Sequence, residues 1–382
     1  MGKNIVVCCD GTWNDPTSKT NVHALFNELI KKEDKQCVMY IKGVGTGYLS
    51  LLKPVIDGSV ATGLDDKVKE AYKFIVNNYQ PEDNIWLFGF SRGAYTVRSV
   101  VGLIRNCGIV KFKDDQIIDQ IIDLAYNIYR NRNPNFNLDG SVTKGFKKGL
   151  SHPDSKDPPI KFLGLFDTVG AHGLPGFTPG KGFEYLEFYD KVVPNVVKYA
   201  CQALAAHERR SFFEPCRILP NNHKTVIKET WFPGVHSEVG GGASENNRIT
   251  KASMLWMLEN IAEVKGLLMK DTIEGYRSRF NPSSGDVLSR SLFDFFSLTY
   301  ALEVFSNRDR VIEIEVDSKI SKTLKRDLLY KDGDWHIFST RNSLKYLYGS
   351  NTYENLRISM KKRGIKLHNG VEYEEPETVN DE

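Results

Sequence analysis

The chain has 382 residues, 41% hydrophobic and 26% charged, with a formal net charge of +3. This composition is typical of a soluble globular protein, and so small a charge does not favour nucleic-acid binding, so we expect no nucleic-acid partner. No stretch approaches the roughly 18 uninterrupted apolar residues of a transmembrane helix, so we expect any membrane contact to be peripheral.

The N-terminus and the cysteines indicate synthesis and folding in the cytoplasm. Met1 to Asn4 leads directly into a strand-like segment, without the apolar core of a secretory signal peptide. The six cysteines form no CxxC pair and no zinc spacing, and most lie in apolar runs. We therefore expect buried free thiols in a reducing compartment and no metal. Export by a secretion system that reads no cleavable signal is the alternative.

The first 245 residues alternate predicted strands with predicted helices. The strands are short apolar runs that end at turns, and the helices are apolar stripes at i, i+3, i+4 and i+7. The predicted strands are 5–9, 38–41, 85–88, 160–166 and 226–232, and the predicted helices are 22–29, 68–75, 97–104 and 117–125. Such alternation predicts a mainly parallel sheet with helices on both faces, the α/β class.

The later part of the chain has a different pattern. Residues 252–261 and 292–305 are predicted helices, and Val311 to Val316 alternates like a half-exposed strand. We expect a mostly helical cap region here and a C-terminal tail with a disordered acidic end. The predicted division is a catalytic domain at 1–245 with an insertion loop at 131–159, a helical cap or extension at 246–350, and a tail at 351–382.

A candidate nucleophile lies in Gly89-Phe90-Ser91-Arg92-Gly93, which fits the G-x-S-x-G pattern. An apolar strand precedes it and a helical stripe follows at once, the context that this nucleophile elbow requires. The serine of such an elbow lies on a strained turn, and Gly89 and Gly93 leave room for the neighbouring backbone. The pattern therefore predicts a serine hydrolase of the α/β-hydrolase class, with Ser91 as nucleophile.

Two groups are predicted to stabilise the oxyanion. The N–H of Arg92 lies at the start of the helix after Ser91, where the free amides and the helix dipole favour negative charge. The second donor is expected in the turn after the first strand, at Gly11 or Thr12. The sequence leaves open which of the two supplies it.

The acid and the base are predicted from chain order and strand ends. A triad of this class runs Ser, then Asp or Glu, then His. Asp167 ends the apolar strand 160–166, and His236 follows the strand 226–232 in a glycine-rich stretch. The rival histidines are His172 and His207, and the competing acid is Asp10, which also ends a strand.

Five motifs in order resemble a widespread α/β-hydrolase domain family that includes the phospholipase effectors of bacterial type VI secretion. The resemblance covers about the first 245 residues. Its motifs are Asp10-Gly11-Thr12-Trp13-Asn14, 43–47, 89–95, 166–170 and 231–241.

This resemblance implies a triad that maps onto Ser91, Asp167 and His236, with no metal and no cofactor. It also implies esterase or phospholipase A activity on glycerophospholipids, a lipid or ester substrate, and an immunity or defence-system partner. Further candidates to line the cleft are Asp10, Trp13, His172 and Glu238.

Several alternatives stay open at this stage. A haloacid-dehalogenase-type phosphatase could use Asp10, but positions 8 and 12 lack its second aspartate. The glycine-rich run 43–47 lacks the dinucleotide spacing, so we interpret it as a loop that lines the cleft. The third alternative is a catalytically weak or inactive interaction module. The aromatic-rich run 292–302 is either a core or cap helix or a lipid-facing lid.

Overall fold

The structure is a computed structural model of the chain. It describes residues 2–12, 14–43, 59–112, 116–153, 159–170, 192–205, 208, 213, 215–218, 224–232, 235–242 and 248–280, with five short strands beyond them. The strands are Asn4–Cys9 (β1), Gln36–Ile41 (β2), Asn84–Phe90 (β3), Ile160–Phe166 (β4), Tyr199–Ala205 (β5), Val226–Phe232 (β6), Val311–Ile312 (β7), Ser318–Ile320 (β8), Leu328–Lys331 (β9), Asp334–Ile337 (β10) and Lys366–Leu367 (β11). The helices are Asn21–Glu28 (α1), Ser59–Asn78 (α2), Arg92–Cys107 (α3), Ile118–Arg130 (α4), Ser141–Leu150 (α5), His236–Val239 (α6), Arg248–Val264 (α7) and Ile273–Arg279 (α8).

A parallel sheet organises the molecule, as the alternating pattern predicts. Its strand order is β2-β1-β3-β4-β5-β6-β8, and every neighbouring pair is parallel. The fold is therefore α/β-hydrolase-like. In the register of the sheet, Cys9 pairs with Gly89, and Phe90 pairs with Phe166. Because the strands are parallel, the carboxyl ends of β1, β3, β4 and β6 all lie at the same end of the sheet.

Helices cover both faces of this sheet, which explains why its strands are continuous apolar runs. All six residues of β1 are buried. Ile5 and Val7 pack in the cluster that includes α2 and α3, while Val6 and Cys8 pack in the cluster that includes α1 and α7. Each fully buried aliphatic side chain of this kind stabilises the fold by about 1.5–3 kcal/mol.

The prediction of an insertion loop at 131–159 is wrong in the central part of this range. A 3₁₀ turn at Pro134–Phe136 and helix α5 lie within this range. Thr143 and Phe146 are the buried residues of α5, and three lysines and two glycines make up half of its ten residues. The range is rich in Gly, Pro, Asn and Lys, which are typical of loops, and this is why its composition indicated one.

The described part of the C-terminal region is mixed. The predicted helix 252–261 lies within α7, and β7 lies at the start of the predicted strand 311–316. In the cap expected at 246–350, α7 and α8 are followed by the short strands β7 to β10, and β9, β10, β7 and β11 form a second, antiparallel sheet. The predicted helix 292–305 and the acidic end lie outside the described residues. The domain boundaries stay predictions.

No helix in the described ranges combines the length and the apolar character that crossing a bilayer requires.

Candidate active site

The predicted elbow lies at the carboxyl end of β3. Ser91 separates β3 from α3 with φ 56° and ψ −124°, a backbone conformation that side chains disfavour. Such strain costs of order 1–3 kcal/mol and persists only where the surroundings impose it. Here the Ser91 N–H donates to the Phe166 carbonyl at 3.0 Å.

The glycines of the elbow are sterically required. A Cβ on Gly89 would lie 2.5 Å from the Cα of Ala94, and one on Gly93 would lie 2.5 Å from the carbonyl oxygen of Asp10. Both neighbours are backbone atoms and cannot rotate away. The two glycines therefore let α3 begin directly against β1 and β3.

The predicted acid and base are in contact. Asp167 follows β4 with φ 38° and is fully buried. Its Oδ2 lies 2.7 Å from His236 Nδ1, and its Oδ1 accepts a hydrogen bond from the Ala205 N–H at 2.9 Å. One carboxylate oxygen thus fixes the acid on β5, while the other orients the imidazole.

Two aromatic rings hold the imidazole next to the elbow. His236 is the first residue of α6, and the centroid of its ring lies 4.7 Å from those of Phe90 and Phe213. Because Phe90 immediately precedes Ser91, this packing brings the His236 ring next to the elbow. Gly240 permits it, since a Cβ there would overlap the Phe90 ring.

Two buried carboxylates support the turn that carries His236. The His236 N–H donates to Glu208 Oε2 at 3.2 Å, and the Val235 N–H donates to Glu238 Oε2 at 2.9 Å. Glu238, a predicted cleft residue, therefore caps the short helix α6. Sequence reasoning missed Glu208 and Phe213 as parts of the site, because neither lies in a periodic pattern and both are more than 20 positions from His236 in the chain.

The competing acid Asp10 has another set of contacts. Its Oδ1 accepts from the Gly11 N–H at 2.9 Å, and its Oδ2 accepts from Thr20 Oγ1 at 2.6 Å and Tyr40 Oη at 2.7 Å. Burial raises the pKa of Asp10, and these hydrogen bonds oppose that rise. Asp10 thus fixes the turn after β1, whereas Asp167 is the acid that contacts His236.

The turn after β1 touches the nucleophile, as predicted. A Cβ on Gly11 would lie 2.9 Å from the Cβ of Ser91, so the absence of a side chain lets this backbone approach. The prediction that Gly11 donates to the oxyanion does not fit, because its N–H already donates to Asp10. The Thr12 hydroxyl is buried and has no hydrogen-bond partner among the described residues. Trp13, His172 and His207 lie outside the described residues.

Arg92 begins α3 directly after Ser91. Helix geometry leaves the first amides of a helix without intrahelical partners, and the dipole adds partial positive charge there. Burial lowers the pKa of the Arg92 guanidinium to about 10, so this side chain stays charged at neutral pH. The start of α3, directly after Ser91, is therefore electropositive.

The buried cysteines are poor competitors for the candidate nucleophile Ser91. All six are free, and Cys8, Cys9, Cys107 and Cys201 are buried. Burial raises the pKa of the Cys107 thiol to about 12, and the pKa of Cys201 also lies well above its ordinary value. Thiols in this state are protonated and unreactive. The described residues hold no group of three or more His, Cys, Asp or Glu that could bind a metal ion.

Sequence comparison finds a family and a relative. The family model described as "T6SS, Phospholipase effector Tle1-like, catalytic domain" matches residues 3–260, more than half of the chain. The uncharacterized protein YEL023C of Saccharomyces cerevisiae is 28% identical over 244 residues, which are 57% of this chain and 33% of the yeast protein. The chain therefore spans about a third of the length of this curated relative.

Solved structures show weaker likeness. An uncharacterized protein from Pseudomonas aeruginosa has 16% identity and a TM-score of 0.41, covering 74% of this chain and 49% of its own. The Tle1 effector bound to the VgrG spike has 20% identity and a TM-score of 0.33, covering 63% and 51%. Esterase 2 of Thermogutta terrifontis has 13% identity and a TM-score of 0.32, covering 70% and 84%. At these TM-scores the structures add no argument about function.

Proposed function

This chain belongs to the T6SS Tle1-like phospholipase effector catalytic domain family, and we propose that it is a serine esterase of the phospholipase A type. The observation that carries the proposal is the 2.7 Å contact between Asp167 Oδ2 and His236 Nδ1. It is supported by the packing of the His236 ring on Phe90, the residue before Ser91, and by the strained elbow conformation of Ser91. The proposed substrate is a carboxylic ester of a glycerophospholipid, as the family description suggests.

In the proposed first step, His236 Nε2 accepts the Ser91 hydroxyl proton while Ser91 Oγ attacks the ester carbonyl carbon. Asp167 keeps the other imidazole proton on Nδ1 and stabilises the imidazolium that forms. The carbonyl π electrons move to the oxygen and give a tetrahedral oxyanion.

The oxyanion is held by two donors in this proposal. The first is the N–H of Arg92, and the second is Thr12, whose buried hydroxyl has no hydrogen-bond partner among the described residues. A donor of this kind is worth on the order of 10²–10³ in rate, because it is preorganised where negative charge develops. Thr12 thus replaces Gly11 as the second donor.

In the remaining steps, the imidazolium gives its proton to the leaving alcohol oxygen, and the ester C–O bond breaks. The alcohol product would be a lysophospholipid, and the acyl group stays on Ser91. His236 then deprotonates a water molecule that attacks the acyl carbon. The bond between this carbon and Ser91 Oγ breaks, the imidazolium returns the proton to Ser91 Oγ, and the fatty acid leaves. The ester and one water molecule are the only reactants that these steps consume.

The phosphatase alternative is not favoured by the structure. Its nucleophile would have to be the Asp10 carboxylate, which is buried and accepts hydrogen bonds from Gly11, Thr20 and Tyr40. The immunity or defence partner, the peripheral membrane contact and the cytoplasmic location with signal-less export stay predictions.

Lipid product analysis tests the proposal. Purified protein is incubated with phospholipid vesicles, and free fatty acid and lysophospholipid are quantified by mass spectrometry. We expect both products from the wild type and a loss of turnover on the order of 10⁶ for Ser91→Ala. Ser99→Ala is a matched control, since Ser99 is a buried serine on α3, the helix that follows Ser91. Equal product from wild type and Ser91→Ala would refute the proposal, and no product from the wild type would favour the inactive interaction module.

A further inference from the structure

A series of buried polar side chains runs across the sheet from the turn after β4, which carries Asp167 and is called the acid turn below. Thr168, the residue after Asp167, donates through its hydroxyl to Gln202 Oε1 on β5. The Gln202 amide Nε2 donates to Glu229 Oε1 on β6 at 2.7 Å. These three side chains are 0%, 0% and 3% exposed, so none of them contacts solvent appreciably.

This series of hydrogen-bonded side chains ends in an ion pair between Glu229 and Arg217. Glu229 Oε2 accepts from Arg217 Nε at 2.6 Å, and Glu229 Oε1 also accepts from the Ile218 N–H at 2.7 Å. A buried carboxylate is costly unless it is paired and hydrogen-bonded. Here both oxygens have donors, so the charge is compensated and rigidly placed.

The segment 215–218 returns to the acid turn and to the nucleophile helix. The Cys216 N–H donates to the Thr168 carbonyl at 2.8 Å, and Val169 forms an antiparallel bridge with Pro215. Arg98 of α3 donates through Nη1 to the Cys216 carbonyl at 2.8 Å. The network therefore joins α3, which begins directly after Ser91, the turn after β4, which carries Asp167, and β6, the strand that precedes His236 in the chain.

The acid turn needs such support. Asp167 has φ 38°, a conformation that costs a non-glycine residue of order 1–3 kcal/mol and relaxes unless the surroundings impose it. We infer that Thr168, Gln202 and Glu229 are positioning residues, which hold this turn so that the Asp167 carboxylate meets His236. They act through Asp167 and do not touch the substrate. This inference rests on the proposed function.

A pair of substitutions at Thr168 separates positioning from general stability. Thr168→Val keeps the shape and the backbone N–H that also donates to Gln202 Oε1 at 3.4 Å, but it removes the hydroxyl donor. Thr168→Ser keeps the hydroxyl. Thr143→Val is the matched control: Thr143 is also buried, and its hydroxyl donates to the Phe136 carbonyl at 2.8 Å in the α5 region. The measurements are kcat and KM on a soluble short-chain ester, the rate of Ser91 labelling by a fluorophosphonate, and Tm.

We expect Thr168→Val to lower kcat and the labelling rate about 10- to 100-fold, since small displacements of catalytic groups have effects of this size. KM should stay within about twofold, because substrate binding does not involve this turn. Thr168→Ser should restore most of kcat, and Thr143→Val should lower Tm by a similar amount with kcat unchanged. Equal kcat in the Thr168→Val and Thr143→Val variants, or no rescue by serine, would overturn the inference.

A second variant covers the case in which Thr168→Val does not fold. Gln202→Met has similar length without hydrogen-bonding groups, and the same loss of kcat with unchanged KM is expected. An unchanged kcat in this variant would also overturn the inference. If the wild type itself is neither labelled nor active on esters, the proposed function fails instead.

Discussion

Replacement of Asp167 by asparagine is the sharpest test of the acid. Asp167 Oδ1 accepts from the Ala205 N–H, and Oδ2 contacts His236 Nδ1. In Asp167→Asn, the amide oxygen can keep the bond to Ala205, so the NH₂ group then faces Nδ1. Two donors cannot face each other, so His236 must accept at Nδ1 and carry its proton on Nε2. That tautomer cannot take the proton of Ser91.

The expected loss in kcat is about 10⁴-fold, as for other Ser-His-Asp hydrolases, or about 5 kcal/mol of transition-state stabilisation. Steady-state hydrolysis of a soluble ester measures it, with circular dichroism to confirm folding. Asp83→Asn is the matched control: this buried carboxylate also accepts backbone N–H groups, from Lys3 and Gln80, beside the opposite end of β3. A loss of less than about tenfold in folded Asp167→Asn protein would refute the assignment of the acid.

Three other predictions follow from the site. Gly93→Ala should lower the free energy of unfolding, measured in denaturant, by at least about 1–3 kcal/mol, because the new Cβ would meet the Asp10 carbonyl. Gly145→Ala on α5 is the control: its Cβ would meet nothing within 4 Å, so it should raise the free energy of unfolding by about 0.5–1 kcal/mol. Equal effects of the two substitutions would contradict the steric argument. Thr12→Val should lower kcat about 10²-fold with Tm unchanged, and unchanged kcat would exclude its hydroxyl as the oxyanion donor. Burial raises the pKa of Asp10 above 3.8 in the folded protein. As pH rises, the unfolded state therefore loses this proton before the folded state does. The free energy of unfolding of the wild type, relative to Asp10→Asn, should then fall as pH rises above 3.8, and a rise would contradict the prediction.

The strands that carry the site were predictable because they are buried on both faces. A continuous apolar run followed by a turn is a strong signal, and it located the ends of β1, β3, β4 and β6. The G-x-S-x-G spacing then located the elbow, since steric crowding requires glycine at both positions. The roles of Ser91, Asp167 and His236 stay predictions, although the structure brings the last two into contact.

Strand β5 was missed, and its sequence shows why. Tyr199–Ala205 is rich in alanine and contains Gln202 at its centre, and neither residue type favours a strand. Tertiary contacts override the local preference, because Gln202 finds partners on Thr168 and Glu229. The hydrogen bond of the Gly11 N–H was missed for a related reason. The Asp10 side chain turns back onto the Gly11 N–H, and sequence pattern does not specify such local hydrogen bonds.

The central claim is that Ser91 is an activated nucleophile. Treatment of folded protein with a fluorophosphonate, followed by intact-mass and peptide mass spectrometry, tests it most directly. The account predicts one adduct per chain, located on Ser91, absent from Ser91→Ala and formed much more slowly in Asp167→Asn. No adduct on folded wild-type protein, or an adduct on another residue that persists in Ser91→Ala, would contradict it.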